Sequence, residues 1–232
     1  MNLAIIVPFY NEEKNLKFFI NEWNKIINLA YLDNINLKFF FINDGSTDNS
    51  LKVIDYSKKN FNYEIINKKN SGHGDSCKYG FKLISNKNFD WVLQIDSDNQ
   101  CDPKYLKDFI SCTKQYDIVF GKRVKREDGL IRILISRLLS ILIFIKTKKY
   151  INDMNCPYKM FSKEKLNKLI QQVDSKYPKK IELFNCLIAY EAELSYKVSW
   201  INIDFRNRKF GSSKYNFLHM FMLFLELFYR IR

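Results

Sequence analysis

Two carboxylates, Asp96 and Asp98, flank Ser97 directly after the apolar run Trp91-Val92-Leu93-Gln94-Ile95. At the end of a buried strand such a pair needs a positive partner, because an uncompensated charge near a core is strongly disfavoured. A hard divalent cation bridging to a diphosphate suits it, since Mg2+ takes a few carboxylates together with substrate phosphate oxygens. A polar turn closing the strand would use the same residue types. The other motifs bear on that choice.

Two similar clusters follow apolar runs, Pro8–Glu13 after Leu3–Val7 and Asn43–Asp48 after Phe39–Ile42. Asp44 is a candidate acceptor for nucleobase N–H groups, and Asn11 and Glu12 for contacts to a ribose or base; both clusters also read as turns with a helix cap. Asn70-Ser71-Gly72-His73-Gly74-Asp75 is glycine-rich and opens a helix, which lets phosphates approach backbone N–H groups. His73, set between glycines, reads as an exposed turn residue with no partner in the sequence.

Short β-rich runs place strands at Leu3–Val7, Phe39–Ile42, Glu64–Ile66, Trp91–Ile95 and Ile118–Phe120. Helical spacing falls between them at Glu12–Leu29, Asp48–Lys59, Asp75–Ile84 and Pro103–Thr113, with Asp48 and Asp102 as N-caps. This alternation predicts an α/β fold, a mostly parallel central sheet with helices on both faces. Ligands in such sheets bind beyond the carboxyl ends of the strands, where the polar clusters fall. No repeat or linker divides the chain, so residues 1–232 read as a single domain.

With 47% hydrophobic residues and only 7 Gly and 4 Pro, the chain can bury a substantial core. Its net charge of +13 fits an anionic partner: nucleic acid, a membrane surface or phosphorylated substrates. Nothing reads as a recognition helix or an RNA-binding aromatic motif, so no nucleic-acid partner is expected. The five cysteines show no C-x-x-C pairing, which points to a reducing compartment. No signal peptide and no spanning helix are expected; the expected place is the cytoplasmic side of a membrane, peripheral or monotopic.

Gly129–Ile145 is apolar nearly all round, yet Arg132, Ser136 and Ser140 recur at i, i+4, i+8 with Arg137 alongside. The reading is a helix at a bilayer interface whose polar stripe grips a lipid phosphate, with Lys122-Arg123-Val124-Lys125-Arg126 as a basic entrance; a core helix with snorkelling arginines is the plain alternative. Arg206–Lys214 forms a basic loop suited to anionic oxygens. Phe217–Tyr229 is a second interfacial or docking helix, too short to span.

In this order the motifs resemble those of family-2 glycosyltransferases, in the polyprenyl-phosphate (dolichyl-phosphate mannose synthase-like) branch. The matching pieces are Val7–Glu13, Asn43–Asp48, Asn70–Gly74, Asp96–Gln100, Gly121–Arg123, Arg132 with Ser136, Asp153 with Pro157–Phe161, and Arg208–Lys214. The resemblance implies a glycosyltransferase A (Rossmann-like) fold with amphipathic C-terminal helices. It also implies a UDP- or GDP-linked sugar donor, Mg2+ or Mn2+, and a polyprenyl phosphate or glycan acceptor. Residues 1–121 would form the nucleotide-sugar-binding half and 122–232 the acceptor-binding half. By residue match the donor would meet Pro8, Asn11, Glu12, Asp44, Gly72, Asp96 and Ser97. Asp98 and Gln100 would hold the metal, and Arg123, Arg132, Ser136, Arg208 and Lys214 would meet acceptor or donor phosphates. Two departures stand out: Pro157 and Lys159 replace the usual Gly and Arg after Asp153, and a histidine occupies the glycine loop.

A phosphate acceptor is already largely anionic near neutral pH, its second pKa being about 6, so it needs no strong base. A saccharide hydroxyl would need one, with Asp153 the candidate alongside Asp96 and Asp98 as catalytic carboxylates. A nucleotidyltransferase is a further rival, but the chain lacks a Gly-rich loop with Lys or Arg after its first strand.

Overall fold

The computed structural model describes residues 1–27, 29, 32, 34–56, 62–127, 130–177, 182–211 and 217–231, without the side chains of 130–132, 135 and 217–220. Strand β1 (Asn2–Phe9) sorts its residues by period two. Leu3, Ile5, Val7 and Phe9 enter one core, and Ala4 and Ile6 enter another on the opposite face. Helix α1 (Glu13–Ile26) covers the first face with Leu16, Phe19, Ile20 and Trp23, spaced i, i+3, i+4, i+7. Burying each such large side chain contributes about 1.5–3 kcal/mol, so this helix is held by its apolar stripe rather than by a cap.

Strands β2 (Asn36–Asn43), β3 (Tyr63–Asn67), β4 (Trp91–Gln94) and β5 (Ile118–Arg126) match the runs expected from the sequence, extended at the ends of β2, β3 and β5. Two strands were not expected, β6 (Lys159–Ser162) and β7 (Val198–Phe205). Among the described residues one sheet forms, in the order β3-β2-β1-β4-β6-β5-β7. Only β6 runs antiparallel to its neighbours. The sheet is therefore mostly parallel, with carboxyl ends gathered on one edge as predicted.

Helix α2 (Ser50–Asp55) is shorter than expected, and α3 (His73–Ser85) starts two residues earlier. Asp48 accepts from the Ser50 N–H at 3.0 Å and from the Glu13 N–H at 3.1 Å, so it serves two helix starts. Asp102 accepts from the Lys104 N–H at 2.9 Å, with Pro103 opening a short 3-10 turn before α4 (Leu106–Cys112). Helices α6 (Lys163–Lys176) and α7 (Phe184–Ser195) complete the second face with α3.

Helix α5 (Leu130–Thr147) turns Leu139, Ser140 and Ile143 inward and leaves Leu134, Leu138, Ile141 and Ile145 exposed at i, i+4, i+7, i+11. Helix α8 (Phe217–Arg230) packs beside it, with Phe221, Met222 and Tyr229 exposed. Among the described residues no helix is long and apolar enough to cross a membrane.

Helix α3 lies so close to β1 that a side chain at Gly80 would meet Ile6 Cγ2 at 2.6 Å. Gly80→Ala should therefore overpack this contact and destabilise the fold by about 1–3 kcal/mol, read by urea denaturation.

Candidate active site

The strand ends open a cleft of about 630 Å3. Its floor begins where β4 stops pairing with β1: the Ile95 N–H donates to Ile6 O at 3.1 Å, and Pro8, which has no N–H, stands just beyond. The two central strands separate there, and the polar loops line the gap.

Three loops form one end of the cleft and are tied to each other. Asn11, left-handed at φ 53, accepts from the Thr47 N–H at 2.7 Å and donates its own backbone N–H to Ser46 Oγ at 3.0 Å. Asp44 is buried and accepts from the Ser71 and Gly72 N–H groups, each at 2.9 Å, and from Lys68 Nζ at 2.5 Å. Gly72 sits at φ 97, a conformation that side chains disfavour, and it lets the loop turn into α3. The expected donor residues thus meet at one place, with Asn11 and Asp44 also bracing its loops.

Asp96 and Asp98 stand at the centre. Burial and the neighbouring Asp96 push the Asp98 carboxyl up to about 7, against the Gln100 N–H and Arg208, which favour its charge. His73, far from being an unpartnered turn residue, opens α3 with Nε2 3.4 Å from Asp96 Oδ1 and 3.5 Å from Cys77 Sγ. Burial disfavours its charge, but the Cys77 sulfur and the carboxylates of Asp96 and Asp98 outweigh that and raise its pKa.

A divalent metal fits this set. Asp98 and Asp96 are hard oxygen donors short of positive charge, and the Gln100 amide N–H is fixed by Arg206 O at 2.8 Å, which leaves the amide oxygen for coordination. Among the described residues no three His, Cys, Asp or Glu side chains are grouped to hold a metal alone, so ligand oxygens would complete the shell.

The far loop reaches back over this end. Arg208 ion-pairs with Glu12 Oε1, and its other terminal nitrogen lies 3.9 Å from Asp98 Oδ2. Glu12 also accepts from Asn15 at 2.7 Å, and Phe210 stacks on Phe18 at 5.5 Å. Arg206, read from the sequence as part of the same clamp, is engaged instead with Asp102 and Glu22. Lys214 lies outside the described residues, and Arg132 is described only as part of the α5 backbone.

The other end is walled by β5, α5, α7 and α8. Ser136 lines it; Ser140 does too, with its hydroxyl donated to Ser136 O at 3.2 Å, so the serine stripe faces the cleft and the apolar stripe faces out. Arg123 grips Asp153 through Nε and a terminal nitrogen, both at 2.7 Å, and through its backbone N–H at 3.1 Å. Burial opposes the Asp153 charge, but Arg123 prevails and holds the carboxyl below its usual range. That geometry does not suit the general base expected of Asp153: a weakly basic carboxylate bound on both oxygens makes a poor proton acceptor. Lys159 is fully buried, donates to Met154 O at 2.9 Å and also to Cys156 O, and burial lowers its pKa. It holds the loop that carries Asp153. Sequence reading missed Glu182, Leu183 and Asn185 on this wall, because no motif marks them.

The profile of Glycosyl transferase family 2 matches residues 4–229. The chain belongs to glycosyl transferase family 2. A curated family-2 relative, the undecaprenyl-phosphate 4-deoxy-4-formamido-L-arabinose transferase of Photorhabdus laumondii subsp. laumondii, is 23% identical over 97% of this chain and 66% of its own length. The chain thus spans just under two thirds of that relative. Among solved structures, S. aureus TarS 1-349 in complex with UDP-GlcNAc superposes with a TM-score of 0.66 at 19% identity, over 98% of this chain and 65% of that one. Glucosyl-3-phosphoglycerate synthase from Mycobacterium tuberculosis in complex with Mn2+ and UDP-Glc gives 0.60 at 14% identity, over 97% and 76%. These likenesses establish the glycosyltransferase A fold, and the curated relative lies in the polyprenyl-phosphate branch.

Two substitutions test the site. Asp98→Asn removes one of two crowded negative charges, so the fold should be as stable as before or slightly more so in a thermal melt, while Mn2+ binding by calorimetry is lost. Arg123→Met strands the buried Asp153 charge and should cost about 3–5 kcal/mol in urea denaturation. Adding Asp153→Asn should recover most of that loss. Because the Asp153 pKa is lowered, its contribution to stability is complete above the unfolded value of 3.8 and is lost as the pH falls through the lower, folded one.

Proposed function

We propose that the protein is a metal-assisted, inverting glycosyltransferase that moves a hexose from a UDP- or GDP-linked donor to a polyprenyl phosphate at a membrane surface. The observation that carries this reading is the two-ended cleft. One end gathers Asp44, Asp96, Asp98 and the Gly72 turn, and the other is closed by α5, whose opposite side is an exposed apolar stripe. A helix that lines a reaction cleft with one face and offers leucine and isoleucine to the outside suits a substrate whose head reacts in water while its tail stays in lipid. The curated relative's name and the nucleotide-bound structural neighbours support the same reading.

In this mechanism Asp44 and the loops it braces seat the nucleoside. Asp98 and Gln100 would hold Mg2+ or Mn2+, which supplies positive charge for the leaving diphosphate. Arg208 adds to that charge by turning from Glu12 towards the phosphates, and Asp96, held by His73, faces the donor ribose or sugar. Asp153 keeps Arg123 extended along the acceptor wall, so the acceptor phosphate attacks as an anion without a protein base. A saccharide hydroxyl as acceptor is the second reading. Glu182, a carboxylate on the acceptor wall, favours it, since it could take the proton.

Purified protein with Mn2+ and radiolabelled UDP- and GDP-sugars, with and without a short-chain polyprenyl phosphate, distinguishes the two. Label is expected in the lipid fraction only when the polyprenyl phosphate is present. Donor turnover without lipid labelling, restored by saccharides, would overturn the lipid acceptor and bring Glu182 forward as base.

A further inference from the structure

Among the described residues that line the cleft, one buried side-chain polar atom has no hydrogen-bond partner. Asn185, in the first turn of α7, is 5% exposed and lines the acceptor wall, and its side-chain oxygen makes no hydrogen bond. Native folds pair nearly all buried polar atoms, so an orphan on a cleft wall marks a place where a ligand supplies the missing group.

The amide also says what kind of ligand that is. An amide oxygen only accepts, so a phosphate oxygen, itself an acceptor, cannot satisfy it. A hydroxyl can, because it donates to the oxygen while accepting from the adjacent NH2. A hydroxyl satisfies the amide in either orientation of its O and N, because it both donates and accepts. Helix α3 links this wall to the carboxylate end: α7 packs on it through Phe184 against Phe81, ring centroids 6.1 Å apart, and α3 begins two turns earlier with His73 beside Asp96.

We propose that Asn185 recognises a hydroxyl of the sugar carried by the nucleotide donor and so helps to set which hexose is transferred. This rests on the reading above, in which the acceptor is a polyprenyl phosphate; that acceptor brings no hydroxyl, so the hydroxyl belongs to the transferred sugar. Asn185 is then a specificity-determining residue. Sites that hydrogen-bond a substrate hydroxyl discriminate strongly against analogues lacking it, because the buried amide is left unpaired again.

Calorimetry with Mn2+ tests this on the full chain, as wild type, Asn185→Ala and the near-isosteric Asn185→Leu. The probes are UDP, UDP-glucose, UDP-N-acetylglucosamine, GDP and GDP-mannose. For the sugar nucleotide that the wild type binds more tightly than its bare diphosphate, both variants should lose about ten-fold in affinity. Both should bind the bare diphosphate as the wild type does, which also shows that they are folded. Equal loss for sugar nucleotide and diphosphate, or no loss for either, would overturn the assignment. So would unchanged donor affinity with a raised KM for a saccharide acceptor, which would place the hydroxyl on the acceptor. A wild-type protein that binds neither nucleotide would fail earlier and differently, removing the donor reading itself and this inference with it.

Discussion

The structure is organised around negative charge that it does not fully neutralise. Asp96, Asp98 and Glu12 converge where β1 and β4 part, and burial there makes like charges repel far more than they would in water. His73 and Arg208 offset part of this, one from the start of α3 and one from the loop after β7. What is left shows in the raised pKa of Asp98. A cation and a diphosphate bound together would resolve the repulsion, and the loops around it are braced without them: Asp44, Asn11 and Asp48 accept from backbone N–H groups of neighbouring segments.

The sheet makes that convergence possible. Parallel pairing of β1 with both β2 and β4 brings three carboxyl ends side by side. The antiparallel β6 then separates β4 from β5, and the wall that carries Arg123 is built on the far side of that divide. The Arg123–Asp153 pair belongs to this second region. Its two charges are buried, matched and hydrogen-bonded to each other, the opposite of the Asp96–Asp98 arrangement. One end of the cleft is closed electrostatically and the other is left open for substrate.

Much of the donor end was legible in the sequence because strand, turn and helix start are local signals there. Leu3–Val7 and Trp91–Ile95 announce strands by composition, and the polar residues after them must lie on the carboxyl edge of a parallel sheet. Residues 122–232 were less legible for physical reasons. Strand β6 is four residues long, and a lysine occupies a position buried in the core, satisfied by carbonyls of its own preceding turn. Strand β7 shows weak alternation, since its first half is only partly buried. Helix α7 is buried nearly all round, so no apolar stripe reports its orientation, and Asn185 has no spacing that sets it apart. His73 was misjudged because its partner, Asp96, comes from a different strand end. Asp153, expected as a general base, is instead paired with Arg123, a partner that lies thirty residues away and that no local spacing reveals.

The contact between Arg208 and Glu12 joins positions 196 residues apart. Asn15 bonding to Phe210 O at 3.0 Å spans almost as much chain. During synthesis the N-terminal strands and α1 emerge first and can pack their own core, since domains condense as chain becomes available. The carboxylate cluster they carry stays without its arginine until the stretch through Arg208 has been made. That counter-charge comes only with the loop that follows β7, so the cleft is completed later than the strand ends that carry its carboxylates.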